Sequence, residues 1–589
     1  MAGIPADAES PAHGNNLVKQ LKVLEPGPSE RPIRLDFSTP RNGWVYVSLS
    51  AGEGQYGFRF LTGESASRWY HPRGSLPEVM VYLHAGDYEL EVEPESGVRP
   101  RSIVVRAIPE LHYCRFPAEP IVEQFGRYDW EYLSAHVLPQ VNTIVGLPTE
   151  ESDAHIAPWV ESGGKWIAYG SLPHMENLTA DQSFDYWRKN PGFTDPRLSG
   201  LIADEFQGRQ NKWYPAWTEA MRRLGEDPAL EGKAFYGYCG GPGMYTRPQT
   251  RELVRTVFDA GYYMAWERYL HEVPTLEEAR TLLDSHLGEE MARWRAAFPE
   301  CQKQMVLVSG LFTHGLSLNV QPEVDYKVWM DLQMQYLATH PEFEGLFGLH
   351  WWNSSFADEE TLRWMARLFR HYAIEGKTEL LAETLGYSYI PGLIENADFA
   401  DGLSAWEVSA AAPDSMRADY MERYGRLQGR YWHRAEFPDE PAGNTFLWMR
   451  SQADRANVVS QTIRGLKAGA LYSVKVMAAD YEDITLGASK EKLLPMSVVV
   501  DGAAIVPEKS FVGQVSSRNA APSDLPFDGQ NPAWFNLHRI VFRATGDSAT
   551  LRISDWAMPD EPGGPAGQEL MINFVEVQPY YDSEAAENL

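Results

Sequence analysis

Between Pro109 and Leu385 short apolar segments alternate with longer helical patterns, and this beat limits the fold more than any other feature. The segments are LHYCRF from Leu111, VNTIVGL from Val141, KWIAYGSLP from Lys165, LSGLIADEF from Leu198, KAFYGYCGG from Lys233, GYYMAWERY from Gly261, MVLVSGLFT from Met305 and LFGLHWWN from Leu346. Between them lie stretches with helical spacing, such as PAWTEAMRRLGE, PQTRELVRTVFDA, YKVWMDLQMQYLATH and DEETLRWMARLFRHY, the last opened by Asp358 as a helix start. Eight such segments, most followed by a helical pattern, within about 265 residues are what a (β/α)8 barrel requires. An open doubly wound sheet is the rival. No G-x-G-x-x-G opens any of these helices, so its dinucleotide-binding version has no support.

The flanks read differently. From Pro32 to Ala107 short strand-like runs (RLDFST, GWVYVSLS, VMVYLHAGDYELEVEP, SIVVRAI) alternate apolar and polar residues between Gly, Pro and Ser turns, as in a β-sandwich. After Leu385 strands return to the end of the chain, interrupted by a Ser-, Pro- and Asp-rich insertion from Ser510 to Pro532. A chain of 589 residues also exceeds what one core can serve. The fold class is therefore multidomain α/β plus β. The division is a flexible N-terminal segment (1–30), a β-sandwich (31–108), a central (β/α)8 TIM barrel (109–385), a β jelly roll (386–582) and a tail (583–589).

The formal charge of −29 repels phosphate backbones, and no Lys/Arg cluster offsets it, so nucleic acid is not expected as a partner. Cys114, Cys239 and Cys301 are odd in number and far apart, which fits free thiols rather than a disulfide framework or a metal site. No apolar run reaches the length of a membrane span, and the opening MAGIPADAESPAHGNN lacks the basic-then-apolar export pattern. The oligomeric state is not legible.

In a barrel of this type the C-terminal strand ends face the active site. Those ends supply Tyr169, Ser171 and His174 from strand three, Asp204 and Glu205 from strand four, and Tyr236, Tyr238 and Cys239 from strand five. Strand six gives Trp266, Glu267 and Arg268, strand seven Ser309, Thr313 and His314, and strand eight His350, Trp351, Trp352 and Asn353. Carboxylates gathered with aromatics suit glycoside hydrolysis, which needs an acid for the leaving oxygen and a second carboxylate opposite it. Glu205 is the expected general acid and Glu267 the nucleophile or base, with Asp204 beside them. His174, Tyr169, Trp213, Tyr236, Tyr238, Trp266, His350, Trp351, Trp352 and Asn353 are the substrate-binding candidates. On an ideal strand Asp204 and Glu205 face opposite ways, so one enters the mouth while the other pairs with Arg209 or caps a helix. Trp351 and Trp352 alternate likewise, one toward the core and one as a sugar platform. His174, Asp204, Glu205 and His350 are metal-ligand types, but no H-x-x-x-H or H-x-H spacing links them, so no catalytic metal and no required cofactor are expected.

Here the barrel resembles (β/α)8-type glycoside hydrolases. It is similar to the large retaining superfamily that ends strand four in Asn-Glu, the Glu being the proton donor: ADEF sets Glu205 at that place and Asp204 where Asn is usual. That superfamily has its nucleophile at the end of strand seven, where LVSGLFTHG has no acid. The α-galactosidase-like barrels carry Asp carboxylates on strands four and six, and Glu267 in MAWERY matches that placement by strand. LHAGDYELEV resembles the closing strands of accessory sandwich modules in extracellular enzymes. The C-terminal part resembles carbohydrate-binding-module jelly rolls through its opening (Asn396, Asp398, Phe399, Gly402, Leu403, Trp406), AGALYSVKV and INFVEV. That resemblance implies a structural Ca2+ near Asn396 and Asp398, with turn capping as the alternative. Together they imply a glycosidase with a carbohydrate substrate, secreted or periplasmic, with a cytoplasmic location as the alternative. A non-catalytic carbohydrate-binding scaffold on a degenerate barrel, a metal-dependent hydrolase and a polysaccharide lyase stand as alternatives.

Overall fold

The computed structural model describes residues 14–26, 32–50, 56–61, 68–94, 100–208, 212–313, 318–421, 444–516, 533–558, 561 and 564–582. Arg209, His314, most of the 510–532 insertion and the tail 583–589 lie outside them. All eight apolar segments form parallel strands: Glu110–Cys114, Thr143–Val145, Lys165–Gly170, Gly200–Gln207, Ala234–Gly240, Tyr263–Arg268, Met305–Gly310 and Gly348–Trp352. They close in that order into a barrel, the eighth pairing with the first through Gly348↔Glu110 to Trp351↔Tyr113. We number them one to eight.

Side-chain parity along each strand divides the residues between two cores. Inward positions include Cys114, Ile167, Ile202, Tyr236, Tyr238, Ala265, Val306 and Val308, which pack together inside the barrel. Outward positions include Leu201, Phe206, Cys239, Trp266, Leu307 and Trp351, which pack under the helices. The helices follow their sequence signals. Asp358 caps the helix Glu359–Leu368 by accepting the Thr361 N–H at 2.8 Å, and Thr275 caps Leu276–Leu283 in a reciprocal box with Glu278.

Two β domains flank the barrel. The N-terminal one is a pair of four-stranded antiparallel sheets around Val47, Phe58, Leu90 and Val105. Its first strand, Lys19–Leu24, falls within the stretch read as flexible and pairs with Ser102–Ile108. With Lys19 and Lys22 exposed and only Leu21 and Leu24 half-buried, this edge strand has no clear apolar alternation and so escaped the reading. Just before it, the Asn16 side chain donates to the His340 carbonyl at 2.6 Å and Asn15 to that of Tyr372 at 2.9 Å, tying the segment to the barrel.

The C-terminal domain stacks a four-stranded sheet on a seven-stranded one. An antiparallel sheet ordinarily shows one face to water. Here all ten residues of Leu471–Asp480 are buried, because the second face of the larger sheet packs on the barrel. Val122 and Phe125, from the loop after strand one, enter the cluster of Phe446, Trp448, Met477, Leu537 and Met571 on that face. No described helix is long and apolar enough to cross a membrane.

Candidate active site

Strand four sets the geometry of the mouth. Its register with strand five runs Ala203↔Gly237 and then Phe206↔Cys239, so strand four holds one residue more than its partner. This bulge is centred on Glu205, whose φ of 70° is left-handed. Asp204 keeps the inward parity of Ile202, and Phe206 returns outward against Trp217 and Trp187. Glu205 takes up the extra step and is exposed. The inward carboxylate of strand four is therefore Asp204, and the order expected for the pair is reversed.

On strand six parity puts Tyr263 and Ala265 inside, Met264 and Trp266 outside, and Glu267 inside at the end of the strand. Each inward carboxylate has a phenol. The Tyr169 hydroxyl donates to Asp204 Oδ2, and the Tyr269 hydroxyl donates to Glu267 Oε1 at 2.7 Å. Burial pushes Glu267 up to about 8, against the Tyr269 hydrogen bond, and the charges of Asp204 and Glu205 push the same way. Burial also raises Asp204; the Tyr169 bond opposes that and the Glu205 charge adds to it.

The floor of the mouth is aromatic. Half-buried Trp352 meets Tyr169 at 5.8 Å and Tyr238 at 5.4 Å between ring centroids. Beneath it runs a buried polar chain: Tyr238 hydroxyl to His350 Nε2 at 3.2 Å, His350 Nδ1 to His112 Nδ1 at 3.1 Å, and His112 Nε2 to Glu110 Oε1 at 2.8 Å. One pair of neutral tautomers satisfies every link, with each donor pointing toward Glu110. Lys165 Nζ and Trp44 Nε1, each at 3.0 Å, donate to the other Glu110 oxygen. Burial alone would raise the Glu110 carboxyl, but the Lys165 ammonium and the His112 and Tyr236 hydrogen bonds hold it well below the usual carboxylate range.

Comparison with protein-family models and with curated protein sequences returns no match. Among solved structures, the chain is similar to a xylanase of Cellvibrio japonicus in complex with xylopentaose, at 9% identity and a TM-score of 0.25, over 61% of this chain and 92% of that one. It is also similar to a cycloisomaltooligosaccharide glucanotransferase of Paenibacillus sp. complexed with cycloisomaltoheptaose: 9% identity, 95% and 72% coverage, TM-score 0.31. A GH2 β-galacturonidase of Eisenbergiella tayi bound to galacturonate matches at 11% identity, 63% and 94% coverage, and a TM-score of 0.27.

Several expected ligand contacts fall elsewhere. Tyr236 is one layer too deep: its hydroxyl donates to Glu110 at 2.7 Å and its ring stacks on Tyr263 at 4.9 Å. Trp266 and Trp351 are outward and buried under the helices, Trp266 against Trp294. His350 is buried in the polar chain, and Asn353 accepts the Ser355 N–H at 2.8 Å to start a helical turn. His174 and Trp213 do reach the surface beside the mouth, with rings 4.7 Å apart; Trp213 donates to the Met175 carbonyl at 2.8 Å. Two contributors were missed. Tyr269 stands two residues beyond Glu267 and so shares its face, a signal present in the sequence. Glu110, at the opposite end of its strand, left none.

No group of three or more His, Cys, Asp and Glu side chains able to hold a metal gathers among the described residues. At the expected calcium position both residues take part in turns, the alternative reading, with Asp398 accepting the Ala400 N–H at 3.1 Å. The Asn396 amide closes its own turn, donating to the carbonyls of Gly402 at 3.0 Å and Ser404 at 2.9 Å and accepting the Asp401 N–H at 3.0 Å.

Proposed function

We propose that the chain is a glycoside hydrolase in which Glu267 is the general acid and Asp204 the nucleophile or base. The observation that carries this reading is the pair of inward carboxylates on strands four and six, set over an aromatic floor. A carboxyl titrating near 8 is protonated at neutral pH and can give its proton to a leaving oxygen. Asp204, with the lower intrinsic range of an aspartate and a phenol donating to it, is the partner that ionises first. Trp352 offers an apolar face for the C–H side of a sugar ring. The inward end of strand seven is Val308 and Gly310, which favours a strand-four and strand-six pair over one using strand seven.

The test separates the roles by leaving group. Against a panel of natural oligosaccharides and 2,4-dinitrophenyl glycosides, Asp204→Asn should lose about 10³-fold or more on both kinds. Glu267→Gln should lose about 10²–10⁴-fold on the natural sugars and far less on the dinitrophenyl compounds, whose leaving group needs no proton. Glu205→Gln should stay within about tenfold of the parent. Equal losses for Glu267→Gln on both kinds, or full activity in Asp204→Asn, would remove the assignment.

A further inference from the structure

The C-terminal sheet does not merely touch the barrel; it holds the mouth loops on one side of it. Arg539 spans Asp358 and Glu360, at the start of the helix after strand eight. Gln578 donates to the Val324 carbonyl at 2.5 Å, in the loop after strand seven. In the same loop Asn319 Nδ2 donates to Glu576 Oε2 at 2.7 Å, and the other Glu576 oxygen lies 3.0 Å from Lys475 Nζ. Lys475, Glu576 and Asn319 are all at least nine-tenths buried.

From Asn319 the chain of contacts leads back to strand six. The next two backbone N–H groups, of Val320 and Gln321, donate to the buried Glu272 carboxylate at 2.8 and 2.9 Å. Glu272 lies three residues beyond Tyr269, in a segment whose Leu270 carbonyl accepts from Trp329 and whose Val273 carbonyl accepts from Tyr389. The Tyr269 ring meets Phe312, of the strand-seven loop, edge-on at 5.5 Å.

We propose that Lys475 and Glu576, acting through Asn319 and Glu272, are positioning residues that fix Tyr269 against Glu267. The C-terminal domain is then a wall of the site, in place of a tethered glycan-binding module, and its broad sheet face is spent on the barrel. This rests on the acid role of Glu267 proposed above. Glu267 is faced by Tyr269 just beyond its own strand, by Asp204 and Glu205 on strand four and by Tyr169 on strand three, with the outward Cys239 thiol of strand five close enough to feel its charge. Of these, Tyr269 is the group that the contacts above link to the C-terminal domain.

The experiment uses the full chain carrying Asn319→Ala, which removes the hydrogen bond to Glu576 and leaves the Lys475–Glu576 pair intact, and Lys475→Met as the stronger variant. Tyr269→Phe is the reference, and far-UV circular dichroism checks the fold. Amide exchange in 269–275 should rise about tenfold in both variants. Their kcat should fall about 10- to 100-fold with KM little changed. The alkaline limb of the kcat profile should move upward, as in Tyr269→Phe, because the hydrogen bond that lowers the acid is weakened. Parental exchange in 269–275, or an unmoved alkaline limb in an active variant, would overturn the proposal. Faster exchange in a chain whose parent turns over no glycoside would uphold the loop coupling and remove the reading of Glu267 as a glycosidase acid.

Discussion

A single inserted residue decides which acid of the DE pair enters the mouth. Glu205, with its left-handed backbone, absorbs the bulge, so Asp204 inherits the inward register and the hydrogen bond from Tyr169. Glu267 shows the electrostatic cost of the site. Its carboxyl is raised from 4.5 to about 8, so ionisation is disfavoured in the folded state and free in the unfolded one. The part of the parent chain's stability that Glu267 controls is therefore lost as pH climbs from about 4.5 to about 8, and Glu267→Gln lacks that part of the loss. After discounting for the surface Glu267 retains, the variant should be more stable by about 2–3 kcal/mol at pH 9 and equal to the parent near pH 4. Denaturant unfolding at the two pH values checks this; a variant less stable at pH 9 would contradict it. Parity separates Trp352 from Trp351, which the alternation of the two made legible in the sequence; the same rule applied to strand six would have removed Trp266 from the ligand candidates beside Glu267. The bulge was not, because no residue type announces it: glutamate at positive φ is held there by its neighbours.

At the scale of elements, the apolar beat located all eight barrel strands, since a strand covered on both sides must be apolar along its length. The same rule misleads for the C-terminal sheet. Its second face carries Lys475, Arg539, Asn573, Glu576 and Gln578, residue types that ordinarily face water and are buried here. The barrel partners of Arg539, Glu576 and Gln578 lie more than 170 residues away, as Arg539 does from Asp358 and Glu360, and no local pattern reports such a pairing. Removing one member leaves buried charge without its complement. Arg539→Ala should therefore destabilise the protein by about 3–5 kcal/mol, and restoring charge balance with Asp358→Asn and Glu360→Gln should recover part of the loss. Urea unfolding of the single and triple variants measures it, and a loss below about 1 kcal/mol would show that water enters and screens the pair.

The whole molecule is three domains that share interior contacts. Asn15 and Asn16 grip the barrel helices, Arg370 from the barrel pairs with Glu78 of the sandwich, and Arg539 joins the third domain. Domains joined by such buried charges should unfold together, whereas modules on linkers melt separately. Calorimetry of the full chain is expected to show one transition, and two resolved peaks would argue for independent modules. Trp44 carries this further. Its indole crosses from the sandwich to the lowest carboxylate of the barrel interior and lies over that end of it. Architecture of this kind cannot be dealt out like cards: a lineage that exchanged either flank for a foreign one would have to rebuild the central chamber at the same stroke.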